Sequence, residues 1–213
     1  MTDVAGVKLP DSAMCSAVTE FVQVSSEPFL FHHVMRSFVL ADLIGVHRGM
    51  RYDRELLYVS AVMHDLGLIR NAPVEQRFEV EGADAARDYL SRQGMKDRDL
   101  DIVWDAIALH TTAEIPLKKV PEVALCHLGI SADVGIVPLD FLPEGVLAAV
   151  LDAYPSLSMH TALPDTLVNL FQKNPAAAAS NAVADACERR VTGFRRFNFC
   201  DFLTERSFDT FSG

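Results

Sequence analysis

The sequence has little of what secreted and membrane proteins are built from. Its N-terminus has no basic start followed by a long apolar run, so we expect no signal peptide, and no apolar run is expected to span a membrane. None of the four cysteines forms a CxxC pair, and 213 residues can bury a core without disulfide bonds. We therefore expect reduced thiols and a cytoplasmic location. The cysteines are Cys15, Cys126, Cys187 and Cys200.

Positive charge is also scarce. The chain has 19 Lys and Arg against 29 Asp and Glu, a formal net charge of -10. A duplex-binding protein needs a basic face to displace counterions from phosphates, so this balance weighs against nucleic acids and anionic membranes as partners. A small-molecule substrate is expected instead. A homodimer is a further expectation, because half of the residues are hydrophobic and the tail is rich in Phe.

Strand patterns are lacking as well. We find no sustained period-two alternation and no convincing two-residue hairpin. Apolar residues recur instead at helical spacing, in segments bounded by Asp, Pro and Gly, which predicts an all-α bundle of about eight helices. Residues 1–24 are predicted to be an N-terminal extension, and 25–213 one domain with a C-terminal helical extension packed on it. Five helices are predicted with both ends: from residues 25–28 to Gly45, from Asp53 to Gly67, from Glu79 to Gln93, from Asp97 or Asp99 to His110, and from Pro121 to Pro138. Three more are predicted to begin at Pro143, Pro164 and Pro175, and the last of these ends at Arg190.

The C-terminal tail carries six phenylalanines between Phe194 and Phe211. Because large aromatic side chains are rarely left in water in such numbers, the tail is predicted to pack onto the body of the domain.

Two places in the chain put metal-ligand residues inside otherwise apolar helices. His32 and His33 lie in FLFHHVMRSF, and His64 and Asp65 lie at the end of YVSAVMHDLGL. Burying a carboxylate beside an imidazole is costly unless something compensates it, and a divalent cation satisfies both groups. A further acid, Asp133 in GISADVGIV, also sits in an apolar helix.

Each of these residues also has a purely structural interpretation. A His-Asp pair is more often a capping or surface pair, Asp133 can be satisfied by a backbone amide or by Arg36, and His33 can be a hydrogen-bonded core histidine. The set on separate helices favours a metal site. Two imidazoles and two carboxylates suit one divalent ion, Zn or Fe first and Mn or Co next. Since four protein ligands would close a tetrahedral zinc site, catalysis requires a higher coordination number.

The ordered set of His33 in HHVMRS, His64 and Asp65 in AVMHDLG, and Asp133 in ISADVG resembles the signature of the HD-domain metal-dependent hydrolase superfamily. The resemblance implies an HD-domain helical bundle with these four residues as metal ligands. Five stretches between about Phe29 and Phe208 are similar to the cyanamide hydratase-like branch: LFHHVMRSFVLA, LLYVSAVMHDLGL, RFEVEGADAARDYL, DIVWDAIALHTT and FCDFLTERSF.

Two details of the resemblance refine the expected site. His33 rather than His32 matches the ligand position and lies three residues before Arg36 on the same helix face. Two-metal members carry additional histidines, and Phe78 stands where one would be expected, which favours one metal over two.

The branch implies addition of metal-activated water to a small nitrile- or amide-like substrate, because a bound metal lowers the pKa of water. In this interpretation Asp65 is catalytic as well as a ligand, since it orients the water, and His110 is the acid/base or polarising group. Thr111 hydrogen-bonds substrate. The alternatives are that His110 is a satisfied helix-terminal histidine and that Thr111 caps the helix.

Arg36 and Glu81 are the remaining candidates for substrate binding. Arg36 can pair with Asp133 or Glu81, or bind an anionic substrate. Glu79 or Glu81 can hold a ligand histidine, although Glu79 is expected on a solvated helix face.

Two other functions remain open at this point. A phosphohydrolase acting on a nucleotide or phosphomonoester needs cations for phosphate oxygens, which Arg36, Arg70 and Arg77 can supply, but the acidic balance speaks against it. A non-catalytic ligand-binding HD module predicts a broken metal set, whereas here the set is intact.

Overall fold

The computed structural model describes residues 3–69, 76–178 and 181–205. Nearly all regular structure in these ranges is helical, which confirms the expected all-α bundle. The helices are α1 (Ala13–Ser25), α2 (Pro28–His47), α3 (Arg54–Met63), α4 (Leu66–Ile69), α5 (Phe78–Arg92), α6 (Asp97–Ala108), α7 (Pro121–Asp133), α8 (Val146–Ala153), α9 (Met159–Lys173), α10 (Ala182–Arg190) and α11 (Phe199–Glu205).

A small β-hairpin precedes the helices, so the expectation of no two-residue hairpin is wrong. Strands β1 (Asp3–Val4) and β2 (Val7–Lys8) pair antiparallel. Ala5 and Gly6 join them with φ of 53° and 84°, the positive values that a type I′ turn requires at both central positions. Ala-Gly is a weaker hairpin signal than Asn-Gly, which is why the sequence pattern did not reveal it.

Several helix starts follow the expected capping chemistry. Asp53 accepts hydrogen bonds from the amides of Glu55 and Leu56 and so caps α3. Pro28 and Pro121 occupy the first turns of α2 and α7, where a missing N–H costs nothing.

Two proline positions were interpreted wrongly. Pro164 lies inside α9, which already begins at Met159. Its missing N–H would face the carbonyl of His160, so the helix forgoes one bond near its first turn. Pro175 opens only a short 3₁₀ turn, and α10 begins after Asn181, whose side chain accepts a hydrogen bond from the Ala184 amide.

Helix α2 is the centre of the fold and runs past its predicted end. By length and composition it could cross a membrane, but 78% of its most apolar window is buried inside the protein, as expected of a core helix. Gly45 does not end it. A Cβ there would lie 2.6 Å from the Tyr52 ring, so this glycine makes room for that ring.

Helix α7 crosses α2 at unusually short range. A Cβ on Gly129 would lie 2.2 Å from the Ser37 carbonyl oxygen and 2.6 Å from Cβ of Ala41. Only glycine permits this approach. The approach brings the end of α7, with Asp133, next to His33 in α2.

The N-terminal and C-terminal segments both contribute to the packing. In α1, Cys15, Val18 and Val22 are buried in the main core. Helices α9 and α10 form a second apolar cluster against the start of α5. Its fully buried members are Phe78, Leu167, Ala177, Val183 and Cys187.

The phenylalanine tail only partly packs. Phe194 contacts the ring of Phe171, with centroids 5.2 Å apart. Phe197 and Phe199 are 61% and 63% exposed, so these two rings are covered less than the prediction implied. The last phenylalanines of the sequence lie outside the described residues.

Candidate metal centre

Three predicted ligands converge from two parts of the helical core. His33 lies within α2, while His64 and Asp65 form the turn between α3 and α4. All three are at most 6% exposed. We call His33, His64 and Asp65 the ligand triad.

The turn is held in place by Gly67, which was expected to end a helix. Gly67 lies in α4 instead, and a Cβ there would lie 1.9 Å from the carbonyl oxygen of Phe78. The glycine therefore lets α4 pack against the start of α5, which fixes the His64–Asp65 turn.

The triad atoms have the spacing of ligands around one ion. His64 Nε2 lies 3.2 Å from His33 Nε2 and 3.2 Å from Asp65 Oδ2, and His33 Nε2 lies 3.7 Å from Asp65 Oδ2. A point equidistant from the three atoms lies about 2.0 Å from each, close to the Zn–N and Zn–O bond lengths. The geometry therefore fits a divalent metal.

The hydrogen bonds of the two triad imidazoles lead to the same conclusion. Nδ1 of His33 donates to Asp133 Oδ2 at 2.7 Å, and Nδ1 of His64 donates to the Ala61 carbonyl at 2.8 Å. Because a carboxylate and a carbonyl only accept, each Nδ1 carries the proton and each Nε2 presents a lone pair. Two lone pairs facing each other at 3.2 Å would repel each other unless a metal ion or a proton lies between them, so this contact is compatible with a metal site.

The pKa shifts of the triad describe a pocket that favours positive charge. Burial by itself would lower the pKa of His64, but the adjacent Asp65 carboxylate raises it above its ordinary value. Burial would raise the pKa of Asp65, but His64 and then His33 hold it below its ordinary value. A bound cation satisfies the same preference.

Asp133, the fourth predicted ligand, lies on the other side of His33. Its Oδ2 accepts from His33 Nδ1, the ring nitrogen turned away from His64 and Asp65. Arg36 binds the same carboxylate through Nε at 2.6 Å and Nη2 at 2.8 Å. Burial would raise the pKa of Asp133, but His33 and Arg36 hold it below its ordinary value. In this arrangement Asp133 orients His33, and its role as a ligand stays a prediction.

Arg36 is buried against Asp133. It is only 2% exposed, and its Nη1 donates to the carbonyl oxygens of Tyr154 and Pro155. Of the alternatives for this arginine, the structure shows the pairing with Asp133.

His32, the neighbour of His33, points elsewhere. Its Nδ1 lies 2.9 Å from the carbonyl oxygen of Pro155, and its ring contacts Tyr154. The structure therefore places His33, and not His32, in the triad.

His110 approaches the triad from the end of α6. Its Nε2 lies 3.8 Å from Asp65 Oδ1, and its ring lies between those of His64 and Phe78. Nδ1 donates to the Ile107 carbonyl at 2.6 Å, so Nε2 presents its lone pair to the interior. Burial, and then the neighbouring His64, lower the pKa of His110 to about 4. At neutral pH this side chain is an uncharged proton acceptor.

Glu79 is fully buried, so the expectation of a solvated position is wrong. Its carboxylate accepts hydrogen bonds from Arg77 at 2.9 Å, Thr111 at 2.5 Å and Asn181 at 3.3 Å. Burial would raise its pKa, but the bonds from Arg77 and Thr111 lower it. Thr111 therefore donates its hydroxyl hydrogen bond to Glu79.

Glu81 is also buried. It accepts a hydrogen bond from Asn174 at 3.3 Å, and it is not part of the described cavity lining.

A cavity of about 450 Å³ opens beside the triad. Sequence reasoning missed most of its lining, which comes from residues distant along the chain. His127, which was not among the predicted site residues, lines the cavity, and its Nδ1 donates to the His110 carbonyl at 2.8 Å. Its one sequence signal was a histidine within an apolar helix. Besides the triad, the described lining comprises Leu68, Phe78, His110, Thr111, Ala113, Glu114, His127, Ile130, Ser131, Val134, Ile136, Val137, Leu163, Leu167, Asn181, Ala182 and Asp185.

Comparison with known proteins identifies the helical core. Residues 30–154 match the family described as HD domain, and this span holds the triad, Asp133 and His110. No curated protein matches the chain significantly. Since the matched span is more than half of the 213 residues, the chain belongs to the HD-domain family.

Proposed function

We propose that this protein is a metal-dependent hydrolase or hydratase that adds water to the carbon of a nitrile- or amide-like substrate. HD domains are generally metal-dependent hydrolases. The observation that carries the proposal is the triad, in which three ligand atoms surround one point and two imidazoles turn their lone pairs toward it.

His33, His64 and Asp65 would hold one divalent ion, with Zn or Fe preferred and Mn or Co as alternatives. When bound, such an ion acts as a Lewis acid and lowers the pKa of a coordinated water. Three protein ligands leave a position for water or substrate. Phe78 supports a single ion, because an apolar ring lies against His110 where another ligand would have to stand.

His110 is the group placed to move protons. Its uncharged Nε2 faces the interior near Asp65, so it can accept a proton from the attacking water while Asp65 Oδ1 orients that water. The water oxygen bonds to the nitrile carbon, one C–N electron pair moves to nitrogen, and His110 returns the proton there. The resulting imidic acid tautomerises to the amide.

The phosphohydrolase alternative finds less support. Among the described lining residues none is Lys or Arg. Arg36 is paired with Asp133, and Arg77 is paired with Glu79. Arg70 lies outside the described residues. A phosphate group would therefore depend on the metal for most of its charge compensation.

The test combines metal analysis with a substrate screen. We expect about one ion per chain in protein purified without chelator, and turnover of cyanamide, small nitriles or amides after reconstitution with Zn, Fe, Mn or Co. Turnover of p-nitrophenyl phosphate or nucleoside monophosphates alone would establish the phosphohydrolase. Absence of bound metal, with no rise in thermal stability on adding it, would establish a non-catalytic module. His32→Ala serves as the control for His33→Ala, because the two residues are adjacent but only His33 belongs to the triad.

A further inference from the structure

The cavity is much larger than a nitrile or amide group requires. Its volume of about 450 Å³ lies in the range of pockets that bury drug-sized ligands. A substrate of three or four heavy atoms would leave most of this space to water. The remaining space can therefore hold a further part of the substrate.

The walls away from the triad are mainly hydrocarbon. One wall comes from the end of α7 and the loop after it, with Ile130, Val134 and Ile136. Helix α9 contributes Leu163 and Leu167 to the same lining. A chain of methylene groups extending from the triad into the cavity would meet apolar side chains of both kinds.

Some of this apolar surface is left in contact with water. Val134 is 40% exposed and Ile136 is 75% exposed. Covering such side chains with an apolar ligand is favourable, by roughly 25 cal/mol for each Å² removed from water. A bound apolar group would therefore gain affinity from residues that the fold itself does not cover.

The charges near the cavity disfavour an anionic substrate. Apart from the histidines, the charged side chains in the described lining are Asp65, Glu114 and Asp185, all carboxylates. Asp185 is partly neutralised by an exposed ion pair with Arg196, but Glu114 has a free path to solvent at the cavity. An acidic group on the substrate would meet like charge here.

From these observations we infer that the substrate is an uncharged nitrile or amide whose reacting carbon carries an apolar chain, which contacts the cavity-lining side chains of α9 and of the end of α7. This inference rests on the proposed function, because it takes the triad as the place where the reacting group binds. It makes α9, which lies outside the HD-matching span, the element that determines specificity.

The experiment uses two hydroxamates that differ only in tail length. Both chelate a metal through the same two oxygens, so acetohydroxamate reports on the metal site alone, and hexanohydroxamate adds four methylenes. We measure both dissociation constants by calorimetry with the zinc-loaded full-length protein. Each fully buried methylene is worth about fourfold in affinity. Because the cavity is partly open, we expect hexanohydroxamate to bind at least about tenfold more tightly.

Three variants test which residues contact the hydroxamate tail. Leu163→Gln should remove most of the tail's gain and leave acetohydroxamate binding unchanged, whereas Leu170→Gln, on the same helix but outside the cavity lining, should leave both unchanged. Ile136→Ser, at a position that is 75% exposed and therefore contributes little to the core, should reduce the gain by a few fold.

The outcomes separate the two proposals. Equal affinities for both hydroxamates, or a gain that Leu163→Gln and Ile136→Ser leave intact, would overturn the apolar subsite while the metal site stands. Failure of zinc or of acetohydroxamate to bind the wild-type protein would overturn the proposed function itself.

Discussion

The residues that line the cavity come from two parts of the chain with different chemistry. The triad and His110 come from α2, the α3–α4 turn and the residues after α6, all within the span 30–154 that matches the HD domain. Helix α9, which lies beyond that span, contributes Leu163 and Leu167. The metal-ligand candidates therefore belong to the family's helical core, whereas part of the apolar lining comes from a helix outside the matched span.

The largest effect should follow from removing a triad member. His64→Gln takes away the Nε2 lone pair, and we expect loss of bound metal and a fall in turnover of about 1,000-fold or more. Metal content by mass spectrometry and steady-state kinetics check this. His32→Ala should keep both metal and turnover near wild type; if it behaves like His64→Gln, the assignment of the triad is wrong.

Asp133→Asn tests whether this carboxylate orients His33 or also binds the ion. The variant leaves Arg36 buried beside a neutral amide, which should cost about 3 kcal/mol of unfolding free energy. If Asp133 only orients His33, metal affinity should weaken by about 10- to 100-fold. Chelator competition and urea unfolding measure the two effects. Complete loss of metal from a folded variant would instead support direct ligation by Asp133.

Glu79→Gln tests the link between the core and the C-terminal helices, because the Glu79 carboxylate accepts hydrogen bonds from Arg77, Thr111 and Asn181. The variant should lose about 1–2 kcal/mol of stability and about tenfold in turnover, with metal content unchanged. Thermal unfolding and metal analysis check these outcomes. Loss of metal would show that Glu79 supports the triad directly.

The difference in stability between the wild type and Glu79→Gln should depend on pH. The pKa of Glu79 is lower in the folded protein than its ordinary value of 4.5. Its stabilising contribution is therefore fully present above pH 4.5 and is lost as pH falls through the folded-state pKa. The difference in unfolding free energy between wild type and Glu79→Gln should shrink with acidification, and a difference that grows would contradict the buried-carboxylate interpretation.

The smallest effect on stability is expected from chemical labelling of the cysteines. Cys126 in α7 is fully buried, and burial raises the pKa of its thiol, whereas Cys200 in α11 is exposed. A thiol reagent should therefore modify Cys200 first in the native protein, with little change in stability, as peptide mapping can show. Rapid labelling of Cys126 would mean that α7 does not pack on α2 as described.

The success of the sequence predictions depended on how local their physical causes are. The Asp53 cap and the first-turn prolines at Pro28 and Pro121 involve contacts within a few residues, and these helix starts were found. Gly45 failed as a helix end because it makes room for the Tyr52 ring, a neighbour that the residue type does not reveal. Pro164 failed as a helix start because the helix already begins at Met159. The buried position of Glu79 was missed for the same reason, since Asn181 lies 102 residues away.

The amino-acid order by itself determined that the protein is helical and that His33, His64, Asp65 and Asp133 are its metal-ligand candidates, because helical periodicity, polar residues inside apolar runs and the resemblance to HD-domain motifs are visible one segment at a time. Only the tertiary structure decided that Asp133 faces Nδ1 of His33, that Arg36 is engaged there, and that α9 supplies an apolar wall. The physical reason is that each of these depends on how closely two helices approach, as Gly129 allows for α2 and α7, and such distances are set by packing across the whole core.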